Sequence, residues 1–285
     1  MQDWVPMKID PEWICRAAAI VFLLGLIGIS ASRADDTAVD LELVLAVDVS
    51  FSMDADEQRL QLDGYVSAFR HGEVIAAIQS GLHRRIAVIF VEWGGVGFQR
   101  VKVPWTLIDG ADASYAFADR LAEQPLAFMP RTSITDAISR VVPLFEQNKF
   151  KGLRKVIDVS GDGPNNQGSA VTLARDAAVS KGITINGLPV LLRPGEPAGF
   201  FDLENLDVYY EDCVIGGPGS FIVPVRNRAN FTEAIRRKLI LEMAAPPVRV
   251  QPARLMRAQL APRGPRVDCL IGEKLWERWL DNSGP

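Results

Sequence analysis

Leu41-Glu42-Leu43-Val44-Leu45-Ala46-Val47-Asp48-Val49-Ser50-Phe51-Ser52 is the stretch from which the fold follows. Its first seven residues are leucine-rich and β-branched with no turn former, which predicts a central strand buried on both faces. Asp48, Ser50 and Ser52 then fall where the strand stops and a loop begins, ahead of a segment with helical apolar spacing. In an open α/β sheet the helices cover both faces, so ligands bind at the carboxyl ends of the strands. One carboxylate and two hydroxyls at alternate positions are hard oxygen donors, suited to Mg²⁺ rather than to zinc or copper. A second reading stays open here, because a strand ending in Asp and followed by Ser is also a common way to turn a chain and cap the next helix.

Working outward, Asp54 to Glu57 predicts a helix start with acidic residues in the first turn, where they suit the helix dipole; capping is the reading for Asp54 and Asp56. His71-Gly72 interrupts that helix before a short second piece at Val74 to Ile78. Arg85 to Glu92 is a nearly unbroken apolar strand, and Gln99 to Trp105 alternates as an antiparallel edge strand does. Ala111 to Glu123 predicts a helix with Tyr115, Phe117, Ala118 and Leu121 available for packing. A helix is expected from about Ser133 to Gln147, with Thr132 or Ser133 as its cap, then a strand at Arg154 to Ser160 running into Gly161-Asp162-Gly163. A helix at Ser169 to Ser180, a strand at Ile183 to Val190, a last edge strand at Ser220 to Val225 and a helix at Phe231 to Met243 follow. This alternation specifies an α/β fold: a doubly wound, mostly parallel, Rossmann-like sheet with one antiparallel edge strand, over residues 41–245.

The 285 residues, 48% of them apolar, suffice for one full domain core plus tails, and the net charge of −4 argues against a nucleic-acid or anionic-membrane surface. Residues 1–34 are a different material: a basic start, the apolar run Ala17 to Ile29, and Ser32-Arg33-Ala34 as a small-x-small cleavage site. They predict a signal peptide and export, periplasmic or extracellular; the apolar run is shorter than the ~20 residues a spanning helix needs, which leaves an uncleaved anchor as the lesser alternative. Cys15 leaves with that segment, so Cys213 and Cys269 remain, and in an oxidising compartment they are expected as one bridge. Residues 246–267 are Pro/Arg-rich and predict an extended linker, and residues 268–285 carry Trp276 and Trp279 on one face of a short amphipathic helix that docks on the domain or on a partner.

Asp48, Ser50, Ser52, Thr132 and Asp162 come from three loops, each at a strand end or a helix start. In this the sequence resembles the von Willebrand factor A domain, whose metal-ion-dependent adhesion site joins a D-x-S-x-S motif to a Thr in a later loop and an Asp after the fourth strand. Here the motif stands complete as Asp48-Val49-Ser50-Phe51-Ser52, Thr132 in Arg131-Thr132-Ser133-Ile134, and Asp162 in Ser160-Gly161-Asp162-Gly163. The wording at 91–93 and at 212–221 also looks like an uncharacterised group of exported bacterial proteins of this type, a likeness that implies no activity.

The resemblance implies a magnesium site, with Mn²⁺ possible, in which Ser50, Ser52 and Thr132 ligate and Asp48 and Asp162 neutralise charge, partly through water. It implies a binding module, not an enzyme, whose partner protein offers a carboxylate to the ion's open position. Thr135 is the rival to Thr132, disfavoured by its place in the first helical turn. The alternative is a metal-assisted, phosphatase-like hydrolase using the same cluster; against it, no second acid follows at D-x-D spacing and no G-x-S-x-G turn occurs.

Overall fold

The computed structural model describes residues 36–192, 203–244 and 266–282. The expected signal peptide, and the expected linker apart from Arg266 and Val267, lie outside the described residues.

Five strands form one sheet in the order β3-β2-β1-β4-β5. They are β1 (Thr37–Asp48), β2 (Ile86–Trp93), β3 (Gln99–Ile108), β4 (Phe150–Gly161) and β5 (Ile183–Pro189). All pairs are parallel except β2 with β3, so the predicted class stands. β1 is central, and every residue from Leu41 to Asp48 is buried because both faces are covered.

The pleat divides β1 between two cores. Leu41, Leu43, Leu45 and Val47 pack with helices α1 (Ala55–Phe69), α2 (Gly72–Ile78), α3 (Ala111–Ala122) and α7 (Phe231–Ala244). Val44 and Ala46 face the other way, onto α4 (Ile134–Val141), α5 (Val171–Ser180) and the segment holding α6 (Leu206–Tyr209). Glu42 shares that second face and is fully buried, satisfied by the Asn148 amide at 2.8 Å and the Gly152 N–H at 2.7 Å. A last helix, α8 (Ile271–Asn282), follows. Among the described residues no helix is long and apolar enough to cross a membrane.

Several expectations are corrected. The helix begun at Ser133 ends at Val141 and tightens into a 3₁₀ turn at Val142–Phe145, because Pro143 has no N–H for the α-helical ladder. Ser220 to Val225 is not a ladder strand: it meets β5 only through isolated bridges at Ile222 and Val225, and Pro224 between them cannot donate. Tyr115 is 44% exposed, off the α3 face that buries Phe117, Ala118 and Leu121. Asp54 is, as expected, the N-cap of α1 in a reciprocal capping box with Glu57, and His71, where the helix is interrupted, caps α2.

Candidate metal centre

Asp48 closes β1 with its side chain fully buried. Its Oδ1 accepts the Ser50 N–H at 2.7 Å, a local turn that swings the chain out of the sheet. Ser50 then pairs with Met129 in an isolated parallel bridge, which lays the loop before α4 beside the end of β1. Ser50 Oγ and Ser52 Oγ lie 2.9 Å apart, and Ser52 Oγ donates to Asp162 Oδ1 at 2.6 Å. Two strand ends therefore meet through side-chain oxygens. Gly161 is what lets them: a Cβ there would stand 2.8 Å from Asp48 Oδ2 and 2.9 Å from the Tyr210 hydroxyl.

The third loop is clamped to the second. The Thr132 N–H donates to Asn166 Oδ1 at 3.0 Å, and the Asn166 N–H donates to the Thr132 carbonyl at 2.9 Å. Between Thr132 and Ser133, the cap of α4 is Ser133, whose Oγ accepts the Asp136 N–H at 3.2 Å. Thr132 lines the cleft instead. Thr135 is spoken for, since its hydroxyl donates to the Ser169 carbonyl at 2.5 Å. The glycine turn at Gly94 and Gly95 likewise spends its amides internally, on Phe98 and Pro130 carbonyls.

Ser50, Ser52, Thr132 and Asp162 thus share one cleft of about 420 Å³, with Asp48 buried beneath it. Burial first, and the nearby Asp162 charge second, push the Asp48 carboxyl well above the usual carboxylate range, against the lowering pull of Ser50. Asp48 Oδ2 is buried with no hydrogen-bond partner among the described residues. Neighbouring carboxylates with one orphaned buried oxygen are the environment that a bound cation relieves, and carboxylates with hydroxyls are hard donors. The residues present fit a small hard dication. Among the described residues no group of three or more His, Cys, Asp or Glu could hold a metal, so such an ion would depend on the hydroxyls.

Sequence reasoning missed three residues that line this cleft, Arg131, Asn166 and Trp276, and the buried Asn165 behind it. Asn165 and Asn166, in a Gly/Pro turn after Asp162, were legible as loop-fixing amides, whereas nothing local to Trp276 points to the cleft.

A family model described as "Protein of unknown function (DUF1194)" matches residues 38–247. No curated protein matches the chain by sequence. Among solved structures, the pilus adhesin SpaC from Lactobacillus rhamnosus GG in its open conformation is similar at 11% identity and TM-score 0.53, covering 72% of this chain and 30% of that one. Proximal thread matrix protein 1 from the mussel byssus, solved with a zinc-occupied MIDAS motif, is similar at 12% identity and TM-score 0.50, covering 73% and 47%. A von Willebrand factor type A structure from Catenulispora acidiphila is similar at 15% identity and TM-score 0.47, covering 72% and 43%. This chain spans less than half the length of each. The likeness shows the fold alone, a mostly parallel α/β sheet with helices on both faces.

Proposed function

The chain belongs to the family described as "Protein of unknown function (DUF1194)", and from the oxygen cluster at its strand ends we propose that it is an exported, divalent-metal-dependent protein-binding module. Ser50, Ser52 and Thr132 would offer hydroxyls to the ion, and Asp48 and Asp162 would balance its charge. Mg²⁺ is the proposed ion and Mn²⁺ the substitute, because both take oxygen ligands and keep waters in an incomplete protein shell. Two carboxylates and one dication leave the site near neutral, so a partner's carboxylate is not repelled.

The observation that carries the reading is the Asp48 carboxyl, fully buried beneath the open cleft, with its Oδ2 unpartnered among the described residues and the Asp162 charge nearby. That arrangement costs stability unless something positive occupies it. The mussel byssus protein holds zinc in its MIDAS motif, which supports a metal-binding role here. Among the described residues the cleft lining offers Asp162 and Arg131 as its ionisable groups, which favours holding a ligand over moving protons.

The test is calorimetric titration of the purified protein with Mn²⁺ and Mg²⁺. Wild type is expected to bind one ion, and Asp48→Ala and Asp162→Ala to lose it with the far-UV spectrum retained. Equal binding in the two variants would refute the site. Turnover of a phosphoester that needs Mg²⁺ and Asp48 would replace the binding reading with the hydrolase one.

A further inference from the structure

The cleft has a wall that comes from outside the three loops. Trp276 of α8 lines it, and the Arg131 guanidinium stacks on that ring 3.9 Å from its centroid. Trp279, the next turn along, stacks on Trp276 with ring centroids 4.9 Å apart. The indole is therefore held by contacts from both the domain and its own helix.

The start of α8 is pinned at three points. Cys269 is bridged to Cys213, which is fully buried. Gly272 lies so close to the loop after Asp162 that a Cβ there would fall 2.0 Å from the Asn165 carbonyl oxygen. Glu273 Oε1 accepts from Asn165 Nδ2 at 2.7 Å. The Oδ1 of the same Asn165 accepts the Thr135 N–H at 3.1 Å, so one buried amide ties α8 to the Asp162 loop and to the helix that follows Thr132. A helix anchored in this way is part of the site's frame.

The chemistry of the remaining lining names the occupant. Arg131 adds a positive charge beside a near-neutral ion site, which favours an anion. Phe51, 65% exposed, and Pro130 join Trp276 in giving the cleft apolar surface. A volume of about 420 Å³ stands at the small end of ligand pockets, which run from ~300 to ~1,000 Å³; it has room for a side chain and its neighbour and not for a broad protein face.

We propose that α8 is a specificity wall of this cleft and that the ligand is an acidic peptide segment, its carboxylate beside Ser50, Ser52 and Asp162 and an adjacent large apolar side chain packed on Trp276. The proposal rests on the metal-dependent binding reading above, and its test separates the two. Mn²⁺ binding to the oxidised protein is followed by electron paramagnetic resonance, and binding of the blocked peptides Gly-Asp-Phe-Gly and Gly-Asp-Gly-Gly by calorimetry. With Mn²⁺ present, wild type is expected to prefer the phenylalanine peptide roughly 10-fold, the size set by burying part of one aromatic side chain. Trp276→Ala and Trp276→Gln, which both remove the indole and leave the oxygen cluster and the Asn165 contacts in place, are expected to erase that preference and to bind Mn²⁺ as wild type does. A preference that survives both variants, or its absence in wild type that binds Mn²⁺, overturns the wall. Loss of Mn²⁺ binding in Trp276→Ala also overturns it, by placing the indole in support of the ion. Failure of wild type to bind Mn²⁺ overturns the underlying reading itself.

Discussion

Lys238 is 1% exposed, and its Nζ lies 2.8 Å from Asp158 Oδ1 and 2.7 Å from Glu242 Oε1. Glu242 is further held by the Asn186 amide at 2.7 Å. Lys238→Met leaves two buried carboxylates without their cation and should cost ~3–5 kcal/mol in urea unfolding. Asp158 brings its own pH dependence, since burial raises its carboxyl from 3.8 to about 6 against the lowering effect of Lys238. A group raised in the folded state contributes stability below its unfolded value and loses it as pH climbs through the folded one. Relative to Asp158→Asn, wild type should therefore lose stability between about pH 4 and pH 6, measured as urea midpoints across that range. None of this was legible in the sequence, where Lys238 reads as one more helical cation among Arg236 and Arg237. By contrast Asp54 was read correctly as a cap, because a capping box is local and its residues are three apart.

At the scale of elements, α8 is bound to the domain by one covalent link, the contacts around Asn165, the stacking of Arg131 on Trp276 and the packing of Ile271 on the core. Cys269→Ser should free it: its amides are expected to lose hydrogen-exchange protection while those of β1 and β4 keep theirs. Unchanged protection in α8 would mean that the noncovalent contacts suffice. The elements of the sheet were legible because each carries its own apolar period, and β1 the most clearly. Those that differed did so where a single proline or a neighbour decided the matter. Pro143 ends α4 early, and Pro224 reduces an expected strand to isolated bridges along β5.

At the scale of the whole molecule, ion binding and folding are linked if the cleft is a metal site. Saturation at 100 times the dissociation constant should add about 2.7 kcal/mol to stability, seen as a rise in Tm that EDTA reverses and that Asp48→Ala lacks. The address can be tested as directly: N-terminal sequencing of exported protein should begin at Asp35 if residues 1–34 are a signal peptide. The chain by itself determined the α/β class, the central strand and the strand-end or helix-start places of the five residues of the proposed site, because hydrophobic period and strand-end position are properties of short windows. It also allowed one pairing of Cys213 with Cys269, which the structure contains. The preference for Thr132 over Thr135 was already legible from Thr135's place in the first helical turn, whereas only the tertiary structure decided that Asn165 and Asn166 lock the loops and that Trp276 lines the cleft. Those depend on which loops the packed sheet brings within a few ångströms of each other, and separation along the chain carries no trace of that distance.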